Sequence, residues 1–224
     1  MNFRQAVIQS CDVYFYNLGE ELGVELISDF ARKCGFNEKT SIDLPHEKKG
    51  LIPDRAWKQR RFGQRWQGGE TINMSIGQGY TLVTPLQVGR FVSALVNGGT
   101  LLKPSLLMDE ETVRQGRLPV SEKDRKRIIK AMIDTVEEPH GTAWRLRMKD
   151  VVTGGKTGTA QVVKLMEDLE DKETEEIPYK FRDHAWLASF GRKDEKAYVV
   201  VVLVEHGGHG GAAAGPPSRA IYEY

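Results

Sequence analysis

The run Gly154-Gly155-Lys156-Thr157-Gly158-Thr159-Ala160-Gln161-Val162-Val163 opens on closely spaced glycines and ends apolar. Glycine entry, threonine alternation and a β-branched end predict a strand over Gly155 to Val163. Two more strand-length apolar runs follow, Ala185 to Gly191 and Lys196 to Glu205. Three strands in succession, with helical patterns before and after them, predict an α+β fold: an antiparallel sheet flanked by helices. Between the first two strands, residues 164–176 are dense in Glu, Asp and Lys and offer little to bury, which predicts a mobile loop over about 164–184.

Composition narrows the function classes. The 224 residues are 40% hydrophobic and 28% charged, a globular balance sufficient for one large domain. A formal net charge of +1 supplies no whole-protein field for a polyanion, which argues against a dedicated nucleic-acid binder. The longest apolar run, Ala197 to Val204, is far short of the roughly 20 residues that span a bilayer. No charged n-region leading into an apolar stretch follows Met1, so no signal peptide is expected. Cys11 and Cys34 have neither zinc-knuckle nor redox spacing.

Upstream the patterns are helical. Phe3 to Gln9 has helical spacing, and Asp12 reads as the N-cap of a helix over Val13 to Leu22. That places Ser10-Cys11-Asp12 at a helix junction, where a turn can present side chains. Val24 to Cys34 is amphipathic and stopped by Gly35. Pro45 to Glu70 reads as loop, with Trp57, Phe62 and Trp66 irregularly spaced. Thr84-Pro85 starts a helix to about Val96; Thr100 to Leu107, broken by Pro104, reads as an edge strand or connector. Ser121 caps a helix through Val136, and Pro217 to Tyr224 closes the chain as another.

The glycine-rich strand has a chemical logic. Gly154, Gly155 and Gly158 would leave the strand edge open to a substrate backbone. Lys156 supplies positive charge, and the Thr157 and Thr159 hydroxyls suit a substrate carboxylate. The Thr159 N–H is a candidate oxyanion donor. A phosphate-binding loop is excluded, because position 150 is Asp and a strand, not a helix, follows. Ser10 and Asp12 alone read as no more than a helix cap.

The motifs gain meaning from their order. Ser10-Cys11-Asp12-Val13-Tyr14-Phe15-Tyr16, Pro53-Asp54-Arg55-Ala56-Trp57-Lys58, Ile76-Gly77-Gln78-Gly79-Tyr80, Thr84-Pro85-Leu86-Gln87 and Lys156-Thr157-Gly158-Thr159-Ala160-Gln161 are followed by Asp183-His184-Ala185-Trp186 and Glu205-His206-Gly207-Gly208. Together, over nearly the whole chain, they resemble the transpeptidase domain of class B penicillin-binding proteins of the cell-elongation type. The resemblance implies a penicillin-binding, β-lactamase-like fold, with residues 1–224 forming part of that domain. It also implies peptidoglycan D,D-transpeptidation through a serine acyl-enzyme, with no metal or organic cofactor. The implied ligands are the D-Ala-D-Ala stem peptide and β-lactams, and the implied partners are envelope elongation-complex proteins. The implied location is the outer face of the cytoplasmic membrane, on a membrane-anchored parent. By the same resemblance Ser10 relays a proton to the leaving amine, and Asp12 accepts where much of the wider family has Asn. Lys156 tunes Ser10, while Thr157, Gly158 and Thr159 hold the substrate carboxylate.

One element departs from the pattern. No serine in the chain has a lysine three positions on, so the family's Ser-x-x-Lys nucleophile and base are not among these residues. The expectation is an N-terminally truncated domain, inactive and unstable alone. The alternative is a non-catalytic remnant that senses β-lactams or acts as a scaffold. Two further readings carry less weight. His206 and His209, with His184 nearby, would need further fixed ligands to make a zinc site. Arg55, Lys58, Arg60, Arg61 and Arg65, interleaved with aromatics, could form a single-strand nucleic-acid platform; an anionic glycan or an envelope partner suits that segment better.

Overall fold

A computed structural model describes residues 1–162 and 174–224. The chain forms two units: residues 1–6 with 11–127, and residues 7–10 with 128–224.

In the first unit, α1 (Phe3–Gln9) leads into α2 (Asp12–Lys33). The two helices expected on either side of Gly23 run on as one element with a break at that residue, φ 74° and ψ 159°, a conformation glycine tolerates. Cys11, not Asp12, is the N-cap; Asp12 is already helical and lends its charge to the first turn. Gly19 lets α2 approach α4 (Gly68–Ser75), since a Cβ there would lie 2.5 Å from the Ser75 Cβ. Val24, Ile52 and Met74 form one core cluster of this unit.

The expected loop over Pro45 to Glu70 is corrected. It contains α3 (Arg55–Phe62) and the start of α4. Asp54 caps α3 by accepting the Trp57 N–H at 2.6 Å, and Gly63 ends it at φ 67°. Periodicity misses α3 because its buried residue is Lys58, whose ammonium pairs with Glu70 at 2.5 and 2.6 Å. A charged residue pointing inward erases the apolar stripe that a sequence reading depends on.

The helix α5 (Pro85–Val96) forms where Thr84-Pro85 predicts it, and a capping box closes its start, the side chains of Thr84 and Gln87 each accepting the other's backbone N–H. Beyond it, β1 (Thr100–Leu102) pairs antiparallel with β2 (Arg114–Arg117). The sequence Arg-Gln-Gly-Arg of β2 is wholly exposed and carries no strand signal of its own; pairing alone defines it.

The helix α6 (Glu122–Glu137), with Ser121 accepting the Asp124 N–H at 3.1 Å, carries the chain to the second unit. There β3 (Val152–Ala160), β4 (His184–Lys193) and β5 (Lys196–Val204) form an antiparallel sheet in the order β3-β4-β5. Lys156 lies opposite Ala188, Thr157 opposite Leu187 and Gly158 opposite Trp186. The short α7 (Gly210–Ala213) and α8 (Gly215–Glu223) follow. One face of the sheet takes α8: the Tyr222 hydroxyl is 3.0 Å from Ser189 Oγ, and burial pushes its pKa up to about 12. On the other face Phe190 packs beneath Gly154. Residues 164–173 of the expected mobile loop over 164–184 lie outside the described residues. Of its described part, 174–176 and 179–181 form 3-10 turns and His184 opens β4.

Candidate active site

The helix α1 ends in a turn that the Ser10 backbone closes. The Cys11 N–H reaches Ala6 O at 2.9 Å and the Ser10 N–H reaches Val7 O at 3.3 Å, with Ser10 at φ 53°. This is the Schellman arrangement, whose left-handed residue is usually glycine. A serine there carries about 1–2 kcal/mol of backbone strain. The turn points the Ser10 hydroxyl at β3, where the Lys156 ammonium donates to Ser10 Oγ at 2.7 Å. Lys156 Nζ also donates to the Thr157 carbonyl at 2.8 Å. Both side chains are half-buried. A hydroxyl that accepts from an ammonium keeps its own proton to give elsewhere, and the nearby positive charge favours anionic species.

The Thr157 hydroxyl donates to Thr142 Oγ1 at 3.0 Å. Thr142 is therefore a site residue that the sequence reading missed. Its N–H reaches Ile8 O at 3.4 Å, which ties it to α1. Gly141 makes this possible: a Cβ there would sit 2.1 Å from the Thr135 carbonyl, which accepts the Ala143 N–H at 3.0 Å. The Thr135 hydroxyl in turn lies 2.6 Å from the Gly155 carbonyl and steadies the start of the motif. The available signal was Gly141-Thr142 just past a helix end, where a glycine marks a tight return.

The glycines divide by role. Gly154 and Gly155 are buried, and a Cβ on Gly154 would lie 2.6 Å from the Phe190 ring and 3.0 Å from Ile133 N. They serve close packing, which corrects the reading that they open the strand edge to substrate. Gly158 differs, since a Cβ there would meet Trp186 Cβ at an ordinary 3.4 Å. Thr157 and Thr159, two apart on β3, point to the same side of the strand. Among the described residues the only strand that β3 pairs with is β4. Asp12 is exposed at the start of α2 and belongs to the first unit, whereas Ser10, Lys156 and Thr157 to Thr159 belong to the second.

The histidine cluster is structural in character. The His206 N–H donates to His184 Nδ1 at 2.9 Å, and His206 Nδ1 lies 3.0 Å from the Arg182 carbonyl, which places a proton on that nitrogen. Among the described residues no group of three His, Cys, Asp or Glu side chains is placed to hold a metal, so the zinc reading has no ligand set. Burial raises the neighbouring Asp183 carboxyl above the usual range, against the pull of a Val162 hydrogen bond and of His209 and His184.

Comparison with known proteins places this geometry. The sequence profile described as "Penicillin binding protein transpeptidase domain" matches residues 1–223. The chain belongs to that family. The peptidoglycan D,D-transpeptidase MrdA of Acinetobacter baumannii is 33% identical over 100% of this chain and 34% of its own length. Stage V sporulation protein D of Bacillus subtilis is 32% identical over 91% of this chain and 30% of its own. Among solved structures, penicillin-binding protein 2 of Helicobacter pylori in complex with MreC superposes with a TM-score of 0.84 at 34% identity, covering 100% of this chain and 40% of that one. Pseudomonas aeruginosa penicillin-binding protein 2 in complex with WCK 5153 gives 0.83 at 29%, covering 47% of that chain. The α+β, penicillin-binding fold expected from the motifs is thus the fold of this family. The chain spans about a third of the length of these curated relatives. Among the described residues no helix is long and apolar enough to cross a membrane.

Proposed function

We propose that these residues belong to a peptidoglycan D,D-transpeptidase of the cell-elongation type and supply its Ser-x-Asp and Lys-Thr-Gly elements. The observation that carries the reading is the 2.7 Å contact from Lys156 Nζ to Ser10 Oγ, which joins motifs 146 residues apart. The substrate is a stem peptide ending in D-Ala-D-Ala, laid along the side of β3 away from β4. Its terminal carboxylate meets the charge of Lys156 and the hydroxyls of Thr157 and Thr159 beside Gly158. A serine hydroxyl attacks the penultimate carbonyl, forming an ester and releasing D-Ala. Ser10, held by Lys156, passes a proton to that leaving amine. An amine of a neighbouring strand then attacks the ester, restoring the hydroxyl and forming the crosslink. A β-lactam takes the same place and stays as the acyl-enzyme.

The attacking serine is not supplied by any Ser-x-x-Lys in these 224 residues. The 224 residues alone are therefore expected to form no acyl-enzyme. By the same reading the protein works at the outer face of the cytoplasmic membrane with other elongation proteins, as the complex of the Helicobacter pylori relative with MreC suggests by analogy. The test is fluorescent-penicillin labelling of the 224-residue chain beside the full product of its reading frame. A covalent band on the longer product alone supports the proposal. A band on the short chain would place a nucleophile among its own residues. A folded longer product that carries Ser-x-x-Lys yet does not label would leave a β-lactam-sensing or scaffold role.

A further inference from the structure

The first unit carries a pair of adjoining cavities that the transpeptidase chemistry does not use. The smaller, about 160 Å³, lies between the Trp66 and Tyr80 rings, with Asn73 and Glu70 on its wall. The larger, about 440 Å³, is lined by Arg55, Gln59, Arg65 and the same Trp66. Trp66 thus separates an aromatic pocket from a cationic one.

Both aromatic walls are held in place. Trp66 Nε1 donates to Thr71 Oγ1 at 2.8 Å, and its ring packs on the Val24, Ile52 and Met74 core. Tyr80 leans on Trp57 and Phe62, with ring centroids 5.1 and 5.5 Å away. Walls already ordered in the free protein lose little entropy when a ligand arrives. The polar groups are ready as well. The exposed Asn73 amide makes no side-chain hydrogen bond among the described residues, and neither Arg55 nor Arg65 forms an ion pair there. Glu70, the one acid on the small pocket, is neutralised by Lys58 at 2.5 Å.

We infer that this groove binds an anionic glycan: a pyranose ring between Trp66 and Tyr80, and its acidic substituent on Arg55 and Arg65. Aromatic faces receive the apolar C–H face of a sugar, and a free side-chain amide matches paired hydroxyls. Guanidinium groups match carboxylates two bonds at a time. The smaller cavity holds one sugar ring. The Trp57, Phe62 and Tyr80 rings are tilted or edge-on to one another, which does not suit stacking of successive bases, and the net charge of +1 gives no field for a polynucleotide. The choice of glycan rests on the peptidoglycan reading above, and the groove would hold a stretch of strand whose muramic residues carry no stem peptide, since a lactyl carboxyl joined to a peptide is an amide and no longer an anion.

The test is calorimetric binding by the full product of the reading frame, using an oligosaccharide of alternating N-acetylglucosamine and N-acetylmuramic acid with free lactyl carboxylates. A neutral chitooligosaccharide of equal length and an oligothymidylate are the comparison probes. The acidic glycan is expected to bind, and the neutral one about ten-fold more weakly or worse. Tyr80→Ala, Arg55→Gln/Arg65→Gln and Arg55→Glu/Arg65→Glu are each expected to weaken it about ten-fold or more, while Arg127→Glu leaves it unchanged. Unchanged melting temperature and penicillin labelling in these variants show that fold and acylation survive. No binding of the acidic glycan by a protein that labels normally overturns the inference and leaves the transpeptidase reading standing. Tighter, Arg55/Arg65-dependent binding of the oligothymidylate overturns it in favour of nucleic acid. Glycan binding by a protein that does not label supports the groove and sinks the acyl-transfer reading instead.

Discussion

After α1 the residue in the left-handed position is Ser10, at φ 53°; after α2 it is Gly35, at φ 88°. The backbone bonds correspond: Ser10 N–H to Val7 O and Cys11 N–H to Ala6 O in the first turn, Gly35 N–H to Arg32 O and Phe36 N–H to Ala31 O in the second. Gly35 is the residue that stereochemistry favours, and its missing Cβ leaves Arg90 Nη1 room that would otherwise close to 3.2 Å. Ser10 forgoes that advantage and gains a hydroxyl 2.7 Å from the Lys156 ammonium. Strain kept where an easier residue was available points to use of the side chain. On the proposed function the first turn presents chemistry, whereas the second ends a helix.

The largest test removes the partner that distinguishes the first turn. Lys156→Ala is expected to slow fluorescent-penicillin acylation of the full reading-frame product by about a hundred-fold or more, measured as a second-order rate. Ser10→Ala and Ser10→Gly should each lose a similar factor, because both delete the hydroxyl. Gly35→Ala should leave that rate alone and lower unfolding stability by about 1–2 kcal/mol in a urea titration. A Gly35 variant that slowed acylation as much as Ser10→Ala would erase the contrast.

A finer test separates strain from chemistry within Ser10. The two variants share the lost hydrogen bond, yet only glycine relaxes the left-handed backbone. Ser10→Gly should therefore be the more stable of the two by about 1 kcal/mol.

A pH-dependent effect comes from the cysteines beside the turns. Cys34, at the end of α2, is buried, and burial pushes its thiol from 9.0 up to about 11. The folded state then holds the proton after the unfolded chain has released it. Stability from this group is complete below about pH 9 and is lost as pH rises through about 11. Cys34→Ala should flatten that alkaline fall in a pH series of melting curves, with the fall contributed by Tyr222 remaining at higher pH. Cys11, half-exposed at the first turn, should react with a thiol reagent while Cys34 is protected.

The sheet, α5 and the contact of two distant motifs were legible because local chemistry and tertiary structure agree there: Thr84 and Gln87 cap a helix in any context, and alternating apolar residues seek a buried face. α3 was hidden by its inward Lys58, and β2 by a sequence that pairs only because Thr100 to Leu102 lies beside it. Thr142 escaped because its role comes from the return that Gly141 allows and from contacts with Ile8 and Thr157, which no spacing rule predicts. Ser10 could be named from its motif, but its strained backbone could not. The reason Gly154 and Gly155 are glycines also emerged only from packing: Phe190 and α6 lie against the first, Leu146, Ala188 and Ser189 against the second.

The most direct test of the account is the acylation rate of Ser10→Gly in the full reading-frame product, read with fluorescent penicillin beside the wild type and Ser10→Ala. The account predicts a Ser10→Gly protein more stable than Ser10→Ala and about a hundred-fold slower than wild type. A Ser10→Gly protein that acylates at the wild-type rate would contradict it, leaving Ser10 a turn residue like Gly35.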